Sequence, residues 1–319
     1  MIFSASRRTD IPAFFGEWFL ERLRCGDVAA RNPVNTRQIT RFTFNPACVD
    51  CIVFWTKNPA PFMKYLDSID ELGYAYYFQF TITPYEKDLE QNLDKRGITD
   101  TFIRLSERIG RDRVVWRYDP VIINDRYPVS FHVDRFCGMA EQLCGHTEKC
   151  VISFVDGYRF LADAMRRYGI TELQPQHIES LAGQICRALD ALPSRITIAA
   201  CCEKIDLAEY GIQRNACVDG ELITRITGVR REYRKDPSQR AGCRCVQSRD
   251  IGAYSTCRHT CVYCYAGRGK KGGAYDRDSP LLCDSVDAAN DTVKLVDLRQ
   301  DNPQQNDPQW DNLRREPGR

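Results

Sequence analysis

Short apolar runs alternate along this chain with stretches whose apolar positions recur every three or four residues. The runs are IFSAS (2–6), CIVFWT (51–56), YAYYFQFTIT (74–83), RVVWRY (113–118), CVISFV (150–155) and RITIAAC (195–201). They are rich in Val, Ile, Phe and Tyr, and several lack polar alternation, as strands buried on both faces of a parallel sheet do. Between them, Phe15, Trp18, Phe19 and Leu23 form one helical stripe. Phe102, Leu105 and Ile109 form a second, with Gly110 placed to cap it, and Ile178, Leu181, Ile185 and Leu189 form a third. This alternation predicts an α/β fold with a parallel sheet, most simply a (β/α)6-type partial barrel.

Polar chemistry follows each run. SRRTD (6–10), TKNP (56–59), TITPYE (81–86), RYDP (117–120), VDGY (155–158) and CCEK (201–204) put charged, hydroxyl or thiol groups at the C-terminal end of a predicted strand. In a parallel barrel those ends converge on one mouth, where active sites are built. Arg117, Asp119 and Asp10 are the catalytic candidates there, and Arg8, Lys57 and Glu203 the candidates for holding a cofactor. The competing role for such residues is structural, as Arg–Asp pairs that keep strand ends in register. Tyr118, Tyr158, Tyr254 and Cys202 are candidates to return a hydrogen atom to a substrate.

At 319 residues the chain has room for one large domain or two small ones, and 43% hydrophobic with 11% aromatic residues describes a folded globule. A net charge of +2 gives no overall bias toward nucleic acid. No apolar run approaches a membrane span, and MIFSASRRTDIPAFF does not read as a secretory signal, so the expectation is a cytoplasmic protein. Sixteen cysteines are then anomalous, because in a reducing compartment clustered thiols are metal ligands or catalytic groups rather than disulfides. The expected organisation is a main α/β region over 1–205, a cysteine-rich segment over 206–285 that completes the barrel, and a disordered tail over 290–319. The stretch 225–249 is rich in arginine, with Glu232 and Asp236 its only acids. It could face nucleic acid, balance the charge of thiolate-bound clusters, or be a solvated face.

The densest chemistry lies in TCRHTCVYCYAG (256–267), where Cys257, Cys261 and Cys264 stand at C-x3-C-x2-C spacing. A [4Fe–4S] cluster is normally held by four thiolates, so three leave one iron open to a small ligand. Zinc, with His259 or another cysteine as fourth ligand, is the alternative. The spacing, with Tyr263 just before the third cysteine, resembles the motif of radical S-adenosylmethionine (radical SAM) enzymes, and CVYCYA is similar to its spore photoproduct lyase branch. The resemblance implies a TIM-barrel-like fold, a [4Fe–4S] cluster and S-adenosylmethionine as cofactors, and reductive cleavage to a 5′-deoxyadenosyl radical that abstracts hydrogen from a substrate. It also implies an electron donor such as flavodoxin or ferredoxin, and Tyr263 as an adenine contact. Carboxylates at the mouth would suit the ribose hydroxyls, and Arg or Lys the cofactor's carboxylate.

More widely, SRRTDIPAFF, FWTKNP, WRYDP, CVDGELI, QRAGCRC and DIGAYSTCRHTCVYCYA through SPLL resemble an uncharacterised bacterial domain-of-unknown-function family over roughly residues 2–285. In radical SAM enzymes the cysteine loop follows the first barrel strand, whereas here it follows all six runs. A circularly permuted barrel accounts for this, with the segment around DIGAYS supplying the strand that elsewhere comes first. No Gly-Gly-Glu motif is evident.

Cys243 and Cys245 form a C-x-C pair, which Cys217 and Cys201 (or Cys202) would complete as a second site. That site is an auxiliary [4Fe–4S] cluster, a zinc clasp, or a set of unconnected buried thiols. Cys48 and Cys51 read as structural, and Cys25, Cys137, Cys144, Cys150, Cys186 and Cys283 as packing residues. Two functions remain in view. One is a radical SAM enzyme of unknown substrate; the other is a non-catalytic zinc or Fe–S module, structural or redox-sensing.

Overall fold

All six apolar runs form strands, and they lie side by side in chain order. The structure is a computed structural model and describes residues 1–267 and 272–299. Its strands are β1 (Ile2–Ala5), β2 (Asp27–Arg31), β3 (Gln38–Thr43), β4 (Cys51–Thr56), β5 (Tyr76–Thr81), β6 (Val114–Val121), β7 (Lys149–Phe154), β8 (Thr197–Ala200), β9 (Gln213–Arg214), β10 (Arg249–Asp250) and β11 (Thr292–Asp297). The helices are α1 (Ile11–Phe14), α2 (Gly16–Cys25), α3 (Leu66–Glu71), α4 (Ile98–Ile109), α5 (Val129–Leu143), α6 (Ala162–Arg167), α7 (Pro175–Asp190) and α8 (Gly220–Thr227). The eight-stranded sheet runs β10-β1-β4-β5-β6-β7-β8-β9, and every neighbouring pair is parallel. Barrel closure is not seen: among the described residues the edge strands β10 and β9 are each paired on one side only.

Alternation along each strand divides the sheet's two faces. Phe3, Ile52, Phe54, Phe78, Trp116 and Ile152 join the main core with the predicted stripes of α2, α4 and α7. Large rings fill that layer: Trp116 stacks on Phe136 at 4.9 Å and Phe80 on Phe102 at 5.1 Å. The opposite face presents Ile2, Cys51, Val53, Tyr77, Val115 and Val151, and these pack against Cys217, Val218, Leu222, Ile223, Cys243 and Cys245. The cysteine-rich segment therefore covers the sheet's second face, with α8 laid on it. Asp219 starts that helix by accepting from the backbone N–H groups of Glu221 and Leu222.

The second sheet, β11-β3-β2, was not anticipated. Its strand β11 falls inside the expected disordered tail, pairing in parallel with β3 from Thr292 to Asp297. Burial writes little pattern into this strand, because its apolar side chains also face solvent: Val293 is 39% and Leu295 72% exposed. The rest of that expectation, residues 300–319, lies outside the described residues. Cys25 also departs from its packing role, since it is exposed at the end of α2 and donates to Glu21.

Helix α5 is tied to the end of β6 through His132, which is fully buried. Its Nε2–H donates to the Ile122 carbonyl at 2.7 Å, so Nδ1 accepts from the Tyr118 hydroxyl at 2.8 Å. Burial pushes its pKa down to about 4 from the ordinary 6.5, although the bond to Ile122 works the other way. Between those values the unfolded chain binds the proton that the folded one refuses, so stability falls as pH drops through the window. We expect acidification from about pH 6.5 to 4 to cost up to ~3 kcal/mol at this site. Urea titrations across that range should show a His132→Gln variant, less stable at neutral pH, losing correspondingly less on acidification.

Candidate functional site

The C-terminal strand ends are bound together by a carboxylate from the far end of the sequence. Asp250, on β10, accepts from Ser4 Oγ at 3.1 Å, Ser6 Oγ at 2.6 Å and the Arg7 backbone N–H at 2.7 Å. Two residues later Gly252 passes so close to β1 that a Cβ there would stand 2.1 Å from Ser6 Oγ. Only glycine fits this approach. The cysteine loop leaves at once from this junction. Its base is closed by Ser255 N–H to the Ala266 carbonyl at 2.9 Å, and Cys264 N–H turns back to the Cys261 carbonyl at 3.1 Å. Val262 N–H reaches Leu89, Asn92 N–H reaches His259, and the Tyr265 hydroxyl donates to the Arg7 carbonyl. The loop is thereby fastened to the segments that follow β1 and β5.

A buried charge network sits beneath it. Glu90 is fully buried and accepts from Lys57 Nζ at 2.7 Å, Thr83 Oγ1 at 2.7 Å and the Tyr263 hydroxyl, and it is also paired with Lys95. Burial opposes ionisation of this carboxyl, but Lys57 and Lys95 hold it ionised, with a pKa of about 2. Burial likewise opposes the charge on Lys57, and Glu90 overrules it, so the ammonium stays above its ordinary value. Lys95 is the loser of the triad, its pKa lowered by burial that Glu90 only partly offsets. Tyr263 is 8% exposed, and its ring meets Tyr85 edge-on at 5.9 Å.

The other sequence candidates gather around the same strand ends. Asp10 accepts from the Lys57 backbone N–H at 2.7 Å, from His259 Nε2 at 2.9 Å and from Ala13 N–H at 2.9 Å, which joins β1, β4 and the loop. Arg8 donates to the Arg31 and Gly252 carbonyls and lies over the Tyr254 ring. Arg117 pairs with Asp119, which also accepts from Ser153, and it donates to Gln79 at 3.2 Å. Glu203 accepts from Phe154 N–H at 3.0 Å, and burial pushes its carboxyl up to about 7. Sequence reasoning missed Glu90, Lys95 and Asp250, each a lone acid or base in polar text with nothing local to mark it. Arg7, which the sequence grouped with Arg8 and Asp10 in SRRTD at the strand ends, sits there as well. The Arg7 guanidinium lies over Trp55 at 5.4 Å, and its buried Nη2 has no hydrogen-bond partner among the described residues.

Two of the loop thiols are desolvated. Burial pushes Cys257 up to about 12, and Cys261 is raised by burial against the pull of Lys57. Cys261 also feels Cys264 and Cys257 as charges, so the three interact through space. His259 has its Nε2 engaged by Asp10 and its buried Nδ1 without a partner among the described residues. Among the described residues, no three His, Cys, Asp or Glu side chains are gathered as a single ion would need. Three half-buried cysteines on one short loop are a donor set that fits a [4Fe–4S] cluster with one iron left open.

The second cysteine group is also assembled. Cys201 and Cys217 sulfurs stand 3.4 Å apart, and Cys245 and Cys243 follow in contact. Cys202 has a left-handed backbone and packs at the edge of the group, its sulfur 3.6 Å from where a Gly242 Cβ would be. Cys51 lies buried in the same core, whereas Cys48 packs in the main one. The arginines of 225–249 are partly spoken for: Arg225 pairs with Glu148, Arg231 with Asp50 and Arg240 with Asp156. A cleft of about 400 Å³ lies beside Cys243, lined by Arg214, Lys235, Ala241, Gly242 and Arg244 as well.

The family described as Domain of unknown function (DUF1848) matches residues 2–266. The chain belongs to this family. The DUF1848 match runs from β1 through the last loop cysteine, so both cysteine groups and the strand-end network lie within it. No curated protein and no solved structure matches the chain. No helix among the described residues is long and apolar enough to cross a membrane.

Removing Glu90 from its network should strand two buried ammonium groups. We expect Glu90→Leu to lower stability by about 3–5 kcal/mol, read from urea midpoints. Adding Lys57→Met should recover part of that loss, because the double variant leaves one less charge unpaired.

Proposed function

We propose that this DUF1848 chain is a radical S-adenosylmethionine enzyme on a circularly permuted α/β barrel, acting at the mouth formed by the strand C-termini. The observation that carries the reading is the place of the cysteine loop. It leaves the C-terminal end of β10, a strand parallel to and beside β1, and lies over the segments that follow β1 and β5. A loop in that position is the counterpart of one that follows a first barrel strand. On this reading the chain enters the barrel one strand late and supplies the missing strand last.

Cys257, Cys261 and Cys264 would hold a [4Fe–4S] cluster, which supplies the electron that cleaves S-adenosylmethionine to a 5′-deoxyadenosyl radical. The protein's own share is to bind, orient and exclude water. Arg7 suits the ligand's carboxylate, because its Nη2 is buried and unpartnered among the described residues. Asp119 and Glu203, at the ends of β6 and β8, suit ribose hydroxyls. Tyr263 offers its backbone rather than its ring face, since its hydroxyl is held by Glu90 and Lys57 and its ring is packed. Asp10 works as a positioning residue, its carboxylate shared by three neighbours. A one-electron donor of the flavodoxin or ferredoxin class would supply the reductant.

The test is anaerobic. After reconstitution with iron and sulfide and reduction, S-adenosylmethionine should perturb the cluster's EPR spectrum and 5′-deoxyadenosine should accumulate. Neither should occur in the Cys257→Ala, Cys261→Ala, Cys264→Ala variant. A cluster blind to the cofactor, or zinc held by these three cysteines, would make the loop a structural or redox-sensing module instead.

A further inference from the structure

We infer that Cys201, Cys217, Cys243 and Cys245 form a second metal site, built for a single tetrahedral thiophilic ion of the zinc class. The site is independent of Cys257, Cys261 and Cys264 and does not rest on the function proposed above.

Several N–H groups point at these sulfurs. Arg117 Nη1 and Asn215 Nδ2 each donate to Cys217 Sγ at 3.0 Å. The backbone N–H groups of Cys217 and Val218 converge on Cys245 Sγ at 3.2 and 3.3 Å, and Cys245 N–H reaches Cys243 Sγ at 3.4 Å. A neutral thiol is a weak acceptor, so pairs of N–H donors trained on one sulfur make a setting for thiolates. Packing alone does not explain this. Cys51 lies in the same core, and its hydrogen bond is the reverse one, its own S–H donating to the Ile52 carbonyl.

Several thiolates in one buried core repel each other and need a cation among them. Arg117 is already paired with Asp119, and Arg7 lies near enough to Cys217 and Cys245 to interact with both while Asp250 stands beside it. A divalent ion with four thiolates carries two negative charges, which these two guanidiniums, stacked over Trp55 at 5.4 and 5.1 Å, face from one side. Arg117 and the backbone donors then serve as the outer shell that orients the ligands.

Sulfur spacing selects the kind of metal. Zinc–sulfur bonds of about 2.3 Å in a tetrahedron put neighbouring sulfurs roughly 3.8 Å apart. Cys201 and Cys217 approach to 3.4 Å, nearer the spacing around one ion than the wider spread of thiolates on a cubane, and Cys245 neighbours both Cys217 and Cys243. The contacts run in file, Cys201 to Cys217 to Cys245 to Cys243, and no three of them yet surround a common point. Closure around an ion asks for side-chain rotation at the two ends of the file. The middle pair is held by the donors already described. The ligands come from the end of β8, the turn after β9 and the arch before β10, so one ion would clasp the 217–246 segment to the inner face of the sheet.

The variant lacking Cys257, Cys261 and Cys264 isolates this site. Expressed as the full chain and purified anaerobically, it should carry about one zinc per chain. X-ray absorption should show four sulfur neighbours, and cobalt(II) exchanged for the zinc should give thiolate charge-transfer and tetrahedral ligand-field bands. Adding Cys243→Ser, at the open end of the file, should weaken zinc retention against a chelator at least tenfold, while Cys51→Ser in the same core should leave it unchanged. Iron and acid-labile sulfide in place of zinc would overturn the proposal, as would metal-free protein whose four thiols all titrate with a thiol reagent.

Discussion

Everything at the mouth depends on a strand of two residues, β10, docking in parallel beside β1 from nearly the opposite end of the sequence. Two residues of ladder are too little to hold a strand by themselves. Asp250 makes up the difference by gathering Ser4, Ser6 and the Arg7 backbone, and Gly252 lets the chains approach. Because the cysteine loop starts five residues beyond Gly252, that docking decides where its sulfurs go. The ordering entropy of bringing the two ends of so long a segment together grows only slowly with its length, so a few charge-assisted bonds suffice to fix the pairing.

Beneath the loop, charge is buried and counterbalanced. The Lys57–Glu90–Lys95 triad would be costly to leave incomplete, and it is fixed to Tyr263, the residue before the third loop cysteine. Such a network adds little net stability compared with apolar packing. What it supplies is position: a rigid floor for a loop that has almost no regular structure of its own. On the sheet's second face N–H groups are directed instead at the sulfurs of Cys217 and Cys245.

Legibility in the sequence followed burial. The six strands and the stripes of α2, α4 and α7 were readable because each sits against the core, so burial wrote the pattern directly. The convergence of Arg117, Asp119, Asp10, Arg8, Lys57 and Glu203 near one end of the sheet followed from strand polarity alone. That Cys201 or Cys202 would join Cys217, Cys243 and Cys245 was foreseen from count and proximity, whereas which of the two it is, and the order of contact, was not. β2 and β3 escaped because only two residues of each are buried, and β11 because its apolar residues lie largely in solvent. Glu90 escaped because its partners Lys57 and Tyr263 lie 33 and 173 residues away, and nothing within its own loop marks it. The edges of the sheet were also beyond the pattern, since whether β9 and β10 meet depends on strand tilt and stagger rather than on any residue's polarity.

The most direct test of the central claim, that three cysteines hold a cluster with one iron open at this mouth, is a Mössbauer spectrum of the chain reconstituted with ⁵⁷Fe, recorded with and without S-adenosylmethionine on the Cys243→Ser background to keep the second thiol group from contributing. The account predicts that the cofactor shifts the signal of one iron in the cluster while the remaining three are unchanged. A cluster whose irons all stay alike when the cofactor is added would contradict it.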